Sequence, residues 1–141
     1  MKILVTGTAG FIGSFVAKAL AARGDVVFGI DSINDYYDVK LKYARLIDSG
    51  FDIKDVDSGV VIKSTIYPDY RFCKMALEDE QSIKRLFEEE KFDMVCHLAA
   101  QAGVRYSLTN PYAYMDSNII GFMNILESCR YNNIKHLVFA S

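Results

Sequence analysis

Gly7, Gly10 and Gly13 stand three residues apart in Gly7-Thr8-Ala9-Gly10-Phe11-Ile12-Gly13, directly after the apolar run Lys2-Ile3-Leu4-Val5-Thr6. Glycines in that pattern suit the holding of a diphosphate against bare backbone. Gly7 turns the chain sharply off a strand with φ values that a side chain forbids. Gly10 lets phosphates come up to the main chain, and Gly13 lets the next helix lie close on the sheet. Unpaired N–H groups at the start of that helix then face the anion, and the helix dipole adds ~0.3–2 kcal/mol. A second apolar run, Val26-Val27-Phe28-Gly29-Ile30, ends on Asp31. It stands close to the ~20 residues past the glycines at which a carboxylate takes the ribose hydroxyls of a dinucleotide. Asp31 repels a 2′-phosphate, and Ser32-Ile33-Asn34-Asp35 brings no Arg or Lys to neutralise one. The pattern favours NAD over NADP. The glycines alone also fit an ordinary strand-to-helix turn; the flanking strands and the acid favour the cofactor. No Gly-Lys-Ser/Thr follows, which argues against a P-loop.

The elements that must position these residues alternate between apolar runs and helical periods, the pattern of a parallel sheet covered on both faces. Phe11, Ile12, Phe15, Val16, Ala19 and Leu20 recur at helical spacing up to Gly24, a C-cap. A second helix carries Leu41, Tyr43, Arg45, Leu46 and Ile47. Residues 49–69 read as a surface excursion with a short strand at Val60-Val61-Ile62. Tyr70 to Met75 is a third strand. Asp79 caps a helix with Ile83, Leu86 and Phe87 on one face, and Glu88-Glu89-Glu90 forms a solvated end. Met94 to Leu98 is a fourth strand. Asn110 and Pro111, as N-cap and N1, start a long helix running to about Asn132. Its apolar residues cover more than one stripe, so it packs against two things, the second being a partner subunit or further chain. His136 to Ala140 is the fifth strand. The expected fold is a Rossmann-like doubly wound sheet of order 3-2-1-4-5, with ligands at the switch point between strands 1 and 4.

A chain of 141 residues, 51% hydrophobic, is one domain or part of one. Its net charge of −2 gives no electrostatic case for nucleic acid or an anionic membrane. Cys73, Cys96 and Cys129 lie in apolar stretches without a Cys-x-x-Cys, which reads as buried reduced thiols in a cytoplasmic protein with no metal site. No signal peptide or transmembrane segment is recognisable.

Together, Thr6-Gly7-x-x-Gly10-Phe11-Ile12-Gly13, Asp31, His97-Leu98-Ala99-Ala100, Asn118-x-x-Gly121 and Leu137-Val138-Phe139-Ala140-Ser141 resemble the extended short-chain dehydrogenase/reductase family, of the NAD-dependent epimerase/dehydratase type. Asn34-Asp35-Tyr36-Tyr37-Asp38-Val39-Lys40 and Gln101-Ala102-Gly103-Val104-Arg105-Tyr106-Ser107 are similar to the UDP-glucuronate 4-epimerase branch. The resemblance covers essentially all of residues 1–141 and about the first two-fifths of a typical member. It implies that this chain is the N-terminal portion of an NAD-binding domain, with the substrate domain and catalytic helix absent. It implies a 4-epimerisation in which a hydride leaves C4 of a UDP-sugar to NAD and returns to the other face. It places Gly7, Gly10, Phe11, Ile12, Gly13, Asp31, Ser32, Asn34, Leu77, Leu98, Ala99, Ala100, Asn118 and Ser141 about the cofactor. Ala99 and Ala100 matter there by being small.

The family's general base is a Tyr-x-x-x-Lys pair beyond Ser141, so no catalytic residue is expected here and residues 1–141 alone are expected to be inactive. Three matches occur, Tyr36 with Lys40, Tyr70 with Lys74 and Tyr131 with Lys135, and all three read as decoys. Ala76 replaces the family's usual Asp beside adenine, which removes one hydrogen bond worth ~0.5–1.5 kcal/mol. Arg105 and Ser107, in the loop after strand 4, lie where substrate phosphates could sit, or are solvated loop residues. His97 reads as structural, and Gly121 as a site of close helix packing. A homodimer through the helix over 111–132 is expected. Three alternatives stay open: a sugar-nucleotide 4,6-dehydratase or reductase, a non-catalytic NAD-binding module, and a methyltransferase, against which Gly10-Phe11-Ile12-Gly13 argues.

Overall fold

Ile3 and Val5 point to one side of a sheet and Leu4 to the other, and all three are fully buried, because helices cover both faces. The computed structural model describes residues 1–141. Its strands are β1 (Lys2–Thr6), β2 (Val26–Asp31), β3 (Val61–Lys63), β4 (Tyr70–Lys74), β5 (Met94–His97) and β6 (Leu137–Phe139). They form one sheet of order β3-β4-β2-β1-β5-β6. All neighbours are parallel except the edge pair β3 and β4. The five parallel strands therefore stand in the order read from sequence, with β3 added antiparallel at one edge.

One face buries Leu4, Phe28 and Val95 against α3 (Glu80–Glu90) and α5 (Phe122–Tyr131). The other buries Ile3, Val5, Val27 and Phe72 against α1 (Phe11–Ala22) and α2 (Val39–Asp48). Asp79 caps α3 by accepting from Ser82 N at 3.1 Å. The excursion over 49–69 is anchored by Phe51, whose ring stands 4.9 Å from Tyr70 and 5.7 Å from Phe72.

The expectations for α1, for Glu90 and for the helix after Asn110 are corrected. Helix α1 turns its small residues Gly13, Ser14 and Ala17 to the sheet and leaves Phe11, Ile12 and Phe15 60–68% exposed. Periodicity identified the helix but not its buried face, because close approach to the glycine turn admits only small side chains. In α2, Leu41 and Ile47 are exposed while Lys42 is buried. Glu90 is not solvated: it pairs with Arg71 through two hydrogen bonds and with Lys2. Burial acts to raise its carboxyl pKa, but these cations outweigh that and hold it below its ordinary value. The helix after Asn110 is not uniform. It begins as α4 (Pro111–Tyr114), widens into a π-helical stretch over Met115–Gly121, and resumes as α5. Gly121 brings it hard against Leu77, whose Cβ would lie 2.5 Å from any Cβ added there. Asn124 Nδ2 donates to Leu77 O at 2.8 Å beside that contact.

Candidate functional site

Gly7 leaves β1 with φ 77°, and its N–H donates to Ile30 O at 2.8 Å, which ties the turn to the end of β2. A Cβ on Gly7 would stand 2.9 Å from Ala99 N, so the tip of β5 crowds the same turn. Gly10 caps α1 without a side-chain bond, and Ser14 N to Gly10 O, 3.1 Å, is the first backbone bond of the helix. The N–H groups of Phe11, Ile12 and Gly13 have no acceptor in the chain. They form an uncapped positive helix end on the cleft wall, suited to an anion.

Asp31, 9% exposed, stands opposite. One carboxylate oxygen accepts from Ala9 N at 3.0 Å and the other from Ile33 N at 2.8 Å. Ile33 reaches that position with φ 51°, a left-handed conformation rare for a β-branched residue. Such strain costs ~1–3 kcal/mol and concentrates at ligand sites. The acid thus organises the glycine turn and its own loop, and each oxygen accepts only one bond from the chain, which leaves it acceptor capacity.

The third wall is set by Thr6. Its hydroxyl oxygen accepts from Leu98 N at 3.1 Å and from Ala99 N at 3.0 Å. Its proton is left for His97 Nδ1 at 2.9 Å, so the imidazole proton belongs on Nε2. Burial pushes the pKa of His97 down to about 4, and its ring stacks on Phe122 at 5.1 Å. A neutral histidine with this bonding is a brace for the β5 exit, in line with the structural reading of its sequence position.

These walls enclose a cleft of about 570 Å³ at the carboxyl ends of β1, β2 and β5, within the ~300–1,000 Å³ of small-molecule sites. Gly7, Gly10, Phe11, Ile12, Gly13, Asp31, Ser32, Asn34, Leu77, Leu98, Ala99 and Ala100 all line it. Four expected site residues lie off its wall. Asn118 instead grips the loop behind it, accepting from Gln101 N at 2.7 Å and donating to Gln101 O at 3.0 Å. Arg105 and Ser107 sit on a 3₁₀ turn over Val104–Leu108, where Arg105 is exposed and Ser107 Oγ donates to Val104 O at 2.6 Å. Ser141 is exposed past β6, two strands away from β1. Ala76 does not line the cleft, though Met75, Leu77 and Glu78 do.

Lys42 and Arg45 also line the cleft, and sequence reading missed both. Arg45 donates to Ala9 O at 3.0 Å and to the Tyr37 hydroxyl at 2.9 Å. The available signal was their i,i+3 spacing on the helix that follows the acid, which puts both on one face. None of the three Tyr-x-x-x-Lys matches forms a base pair in the cleft. Tyr70 is fully buried in the core and Tyr131 is 70% exposed at the end of α5. Tyr36 reaches the mouth without Lys40.

Fold and cleft together define a Rossmann-type α/β protein whose cleft lies at the switch point of a mostly parallel sheet. Comparison with known proteins narrows this. The sequence profile of the NAD dependent epimerase/dehydratase family matches residues 3–141. The chain is 50% identical over 141 residues to Protein CapI of Staphylococcus aureus, covering all of this chain and 37% of that protein. It is 45% identical over 135 residues to UDP-glucuronate 4-epimerase 3 of Arabidopsis thaliana, covering 94% of this chain and 27% of that one. The crystal structure of Thermus thermophilus UDP-glucose 4-epimerase in complex with NAD superposes with a TM-score of 0.71 at 34% identity, over all of this chain and 37% of that one. The chain belongs to the NAD dependent epimerase/dehydratase family and spans about a quarter to two-fifths of the length of these relatives.

Proposed function

We propose that the cleft binds NAD and that the chain is the cofactor-holding part of a nucleotide-sugar 4-epimerase interconverting UDP-glucuronate and UDP-galacturonate. One observation carries this reading: three unpaired N–H groups at the start of α1 face the same cleft as Asp31, with no Cβ on Gly10 to hold a phosphate off. In this reading Gly7, Gly10, Phe11, Ile12 and Gly13 take the pyrophosphate, and Asp31, Ser32 and Asn34 the adenosine ribose. Leu77 packs beside adenine, and the small Ala99 and Ala100 leave room for the second ribose. NAD, when bound, supplies the hydride acceptor and donor for C4 of the sugar. The chain's own residues bind, orient and exclude water. Arg105 and Ser107 approach substrate phosphates and Ser141 approaches the cofactor only as parts of this proposal. So do a homodimer through the helix over 111–132 and a cytoplasmic location. Exposed Met115, Ile119 and Met123 on that helix support the dimer, and three free buried thiols support the location. The similarity to UDP-glucuronate 4-epimerases supports the substrate.

The test is a graft. Residues 1–141 alone are expected to bind NAD and leave UDP-glucuronate unchanged. Joined to the part of CapI that this chain does not match, they are expected to yield UDP-galacturonate. A 4-keto-6-deoxy sugar would assign a dehydratase instead, and NAD binding without any product would assign a non-catalytic module.

A further inference from the structure

A chain of polar side chains joins the two walls of the cleft. Lys42 is buried on α2, yet its Nζ donates to Asn34 O at 2.9 Å and to Asn34 Oδ1 at 2.6 Å. The Tyr37 ring lies beneath it, 4.9 Å from the ammonium. Asn34 Nδ2 donates to Gln101 Oε1 at 3.3 Å, and Gln101 Nε2 donates to Ala102 O at 3.1 Å. The Gln101 backbone is in turn gripped on both sides by Asn118. Chemistry fixes the direction of this relay. An ammonium only donates, so Asn34 must turn its oxygen to Lys42 and its amine to Gln101. Gln101 must then turn its oxygen to Asn34 and its amine to Ala102. Burying a lysine is costly unless its donors are used, and here two of the three are spent on one residue. Lys42 and Gln101 share no hydrogen bond with each other, and the hydrogen-bonded path between them runs through Asn34.

Resting on the NAD reading of the cleft, we propose that Lys42 is a positioning residue. It acts through Asn34 and Gln101 to hold the loop after β2 and the loop after β5 at the separation that NAD requires. It does so without being a cofactor ligand itself.

A double-mutant cycle on NAD affinity in the full chain tests this. Lys42→Met and Gln101→Ala are each expected to weaken NAD binding about tenfold, the scale of one lost charge-assisted or buried hydrogen bond. The double variant is expected to bind no more than about twofold worse than the weaker single, because both cuts sever the same relay. Lys42→Arg, which keeps the charge and has N–H donors enough for both Asn34 oxygens, is expected to retain most of the wild-type affinity. Gln101→Met keeps the side-chain length and leaves Lys42 paired with Asn34, but it can neither accept from Asn34 nor donate to Ala102, and is expected to lose about tenfold. An additive loss of about a hundredfold in the double variant would overturn the proposal, since it would mean that Lys42 meets the cofactor independently. Unchanged affinity in Gln101→Met would also overturn it, and decides the matter if Lys42→Met does not fold. A wild-type chain that takes up no NAD overturns the cofactor reading and this inference with it. Wild-type binding with unaffected variants overturns this inference alone.

Discussion

Gly10→Ala separates the stability of the glycine turn from its use. Gly10 has φ −77° and ψ 169°, an extended conformation open to any residue. An added Cβ would meet only Gly7 O at 3.0 Å, with the Gly7 carbonyl carbon at 4.0 Å. A few tenths of an ångström of movement relieves that contact. Alanine is a poorer N-cap than glycine, so the expected cost is about 1 kcal/mol, or a fall in Tm of about 4 °C for a domain of this size. Gly13→Ala is the contrast. There a Cβ would stand 2.6 Å from the Gly7 carbonyl carbon and 3.2 Å from Thr8 Cα, and closer still to Gly7 O. Carbon pairs rest at ~3.5–4.0 Å, so α1 would have to retreat from the turn by about 1 Å against backbone. Overpacking of that kind costs ~3 kcal/mol or more, and Tm falls by about 12 °C. Binding should order the two differently. In the proposed NAD pose the diphosphate comes up to the main chain at Gly10, where the methyl of Gly10→Ala would hold it away from the free N–H groups that begin α1. Losing one hydrogen bond to a charged phosphate costs ~1.5–3 kcal/mol, so NAD affinity falls at least about tenfold while the fold survives. Thermal melts and NAD calorimetry on both variants check this. A Gly10→Ala protein that binds NAD as the wild type does, or that melts below Gly13→Ala, would refute the reasoning.

Asp31→Asn leaves one oxygen to serve the Ala9 and Ile33 N–H groups, so one of them is orphaned at ~1–3 kcal/mol; removing the charge beside Lys42 and Arg45 should also narrow the preference for NAD over NADP, and an unchanged ratio in competition titrations would contradict the role given to Asp31. Thr6→Val strips the acceptor from two backbone N–H groups and the donor from His97. It should cost about 3 kcal/mol in urea denaturation, against less than about 1 for Thr6→Ser. His97 has a folded pKa of about 4 against 6.5 when unfolded. The unfolded chain therefore binds the extra proton, and stability should be complete above pH 6.5 and fall by about 3 kcal/mol as pH drops to 4. His97→Gln should flatten that part of a stability–pH profile, and a profile that stays as steep would rule out His97 as its source.

Much of this architecture was legible because parallel strands buried on both faces read as continuous apolar runs. Lys2–Thr6, Val26–Asp31 and Met94–His97 are such runs, each with a continuous apolar centre. Caps carried by Asp79 and Asn110 were legible for the same local reason. The failures have a common physical origin in tertiary contact. Phe11, Ile12 and Phe15 are apolar yet exposed, because the crowding of Gly13 on Gly7 turns the small residues of α1 inward. Lys42 is charged yet buried, because Asn34 meets it with two oxygens. The π-helical stretch at Met115–Gly121 follows from no residue type, and it accompanies the grip of Asn118 on Gln101 and the contact of Gly121 with Leu77. In the cleft, the glycines and Asp31 announced themselves by spacing. Lys42, Arg45 and Gln101 did not, since only the folded chain brings them beside that acid.

The central claim is that the turn after β1 and the acid ending β2 make a site for NAD, and calorimetric titration of residues 1–141 with NAD, NADP and S-adenosylmethionine tests it most directly. The account expects saturable one-to-one uptake of NAD, clearly weaker NADP, and no S-adenosylmethionine bound. Tighter binding of NADP, or no heat with NAD from a folded chain, would contradict it.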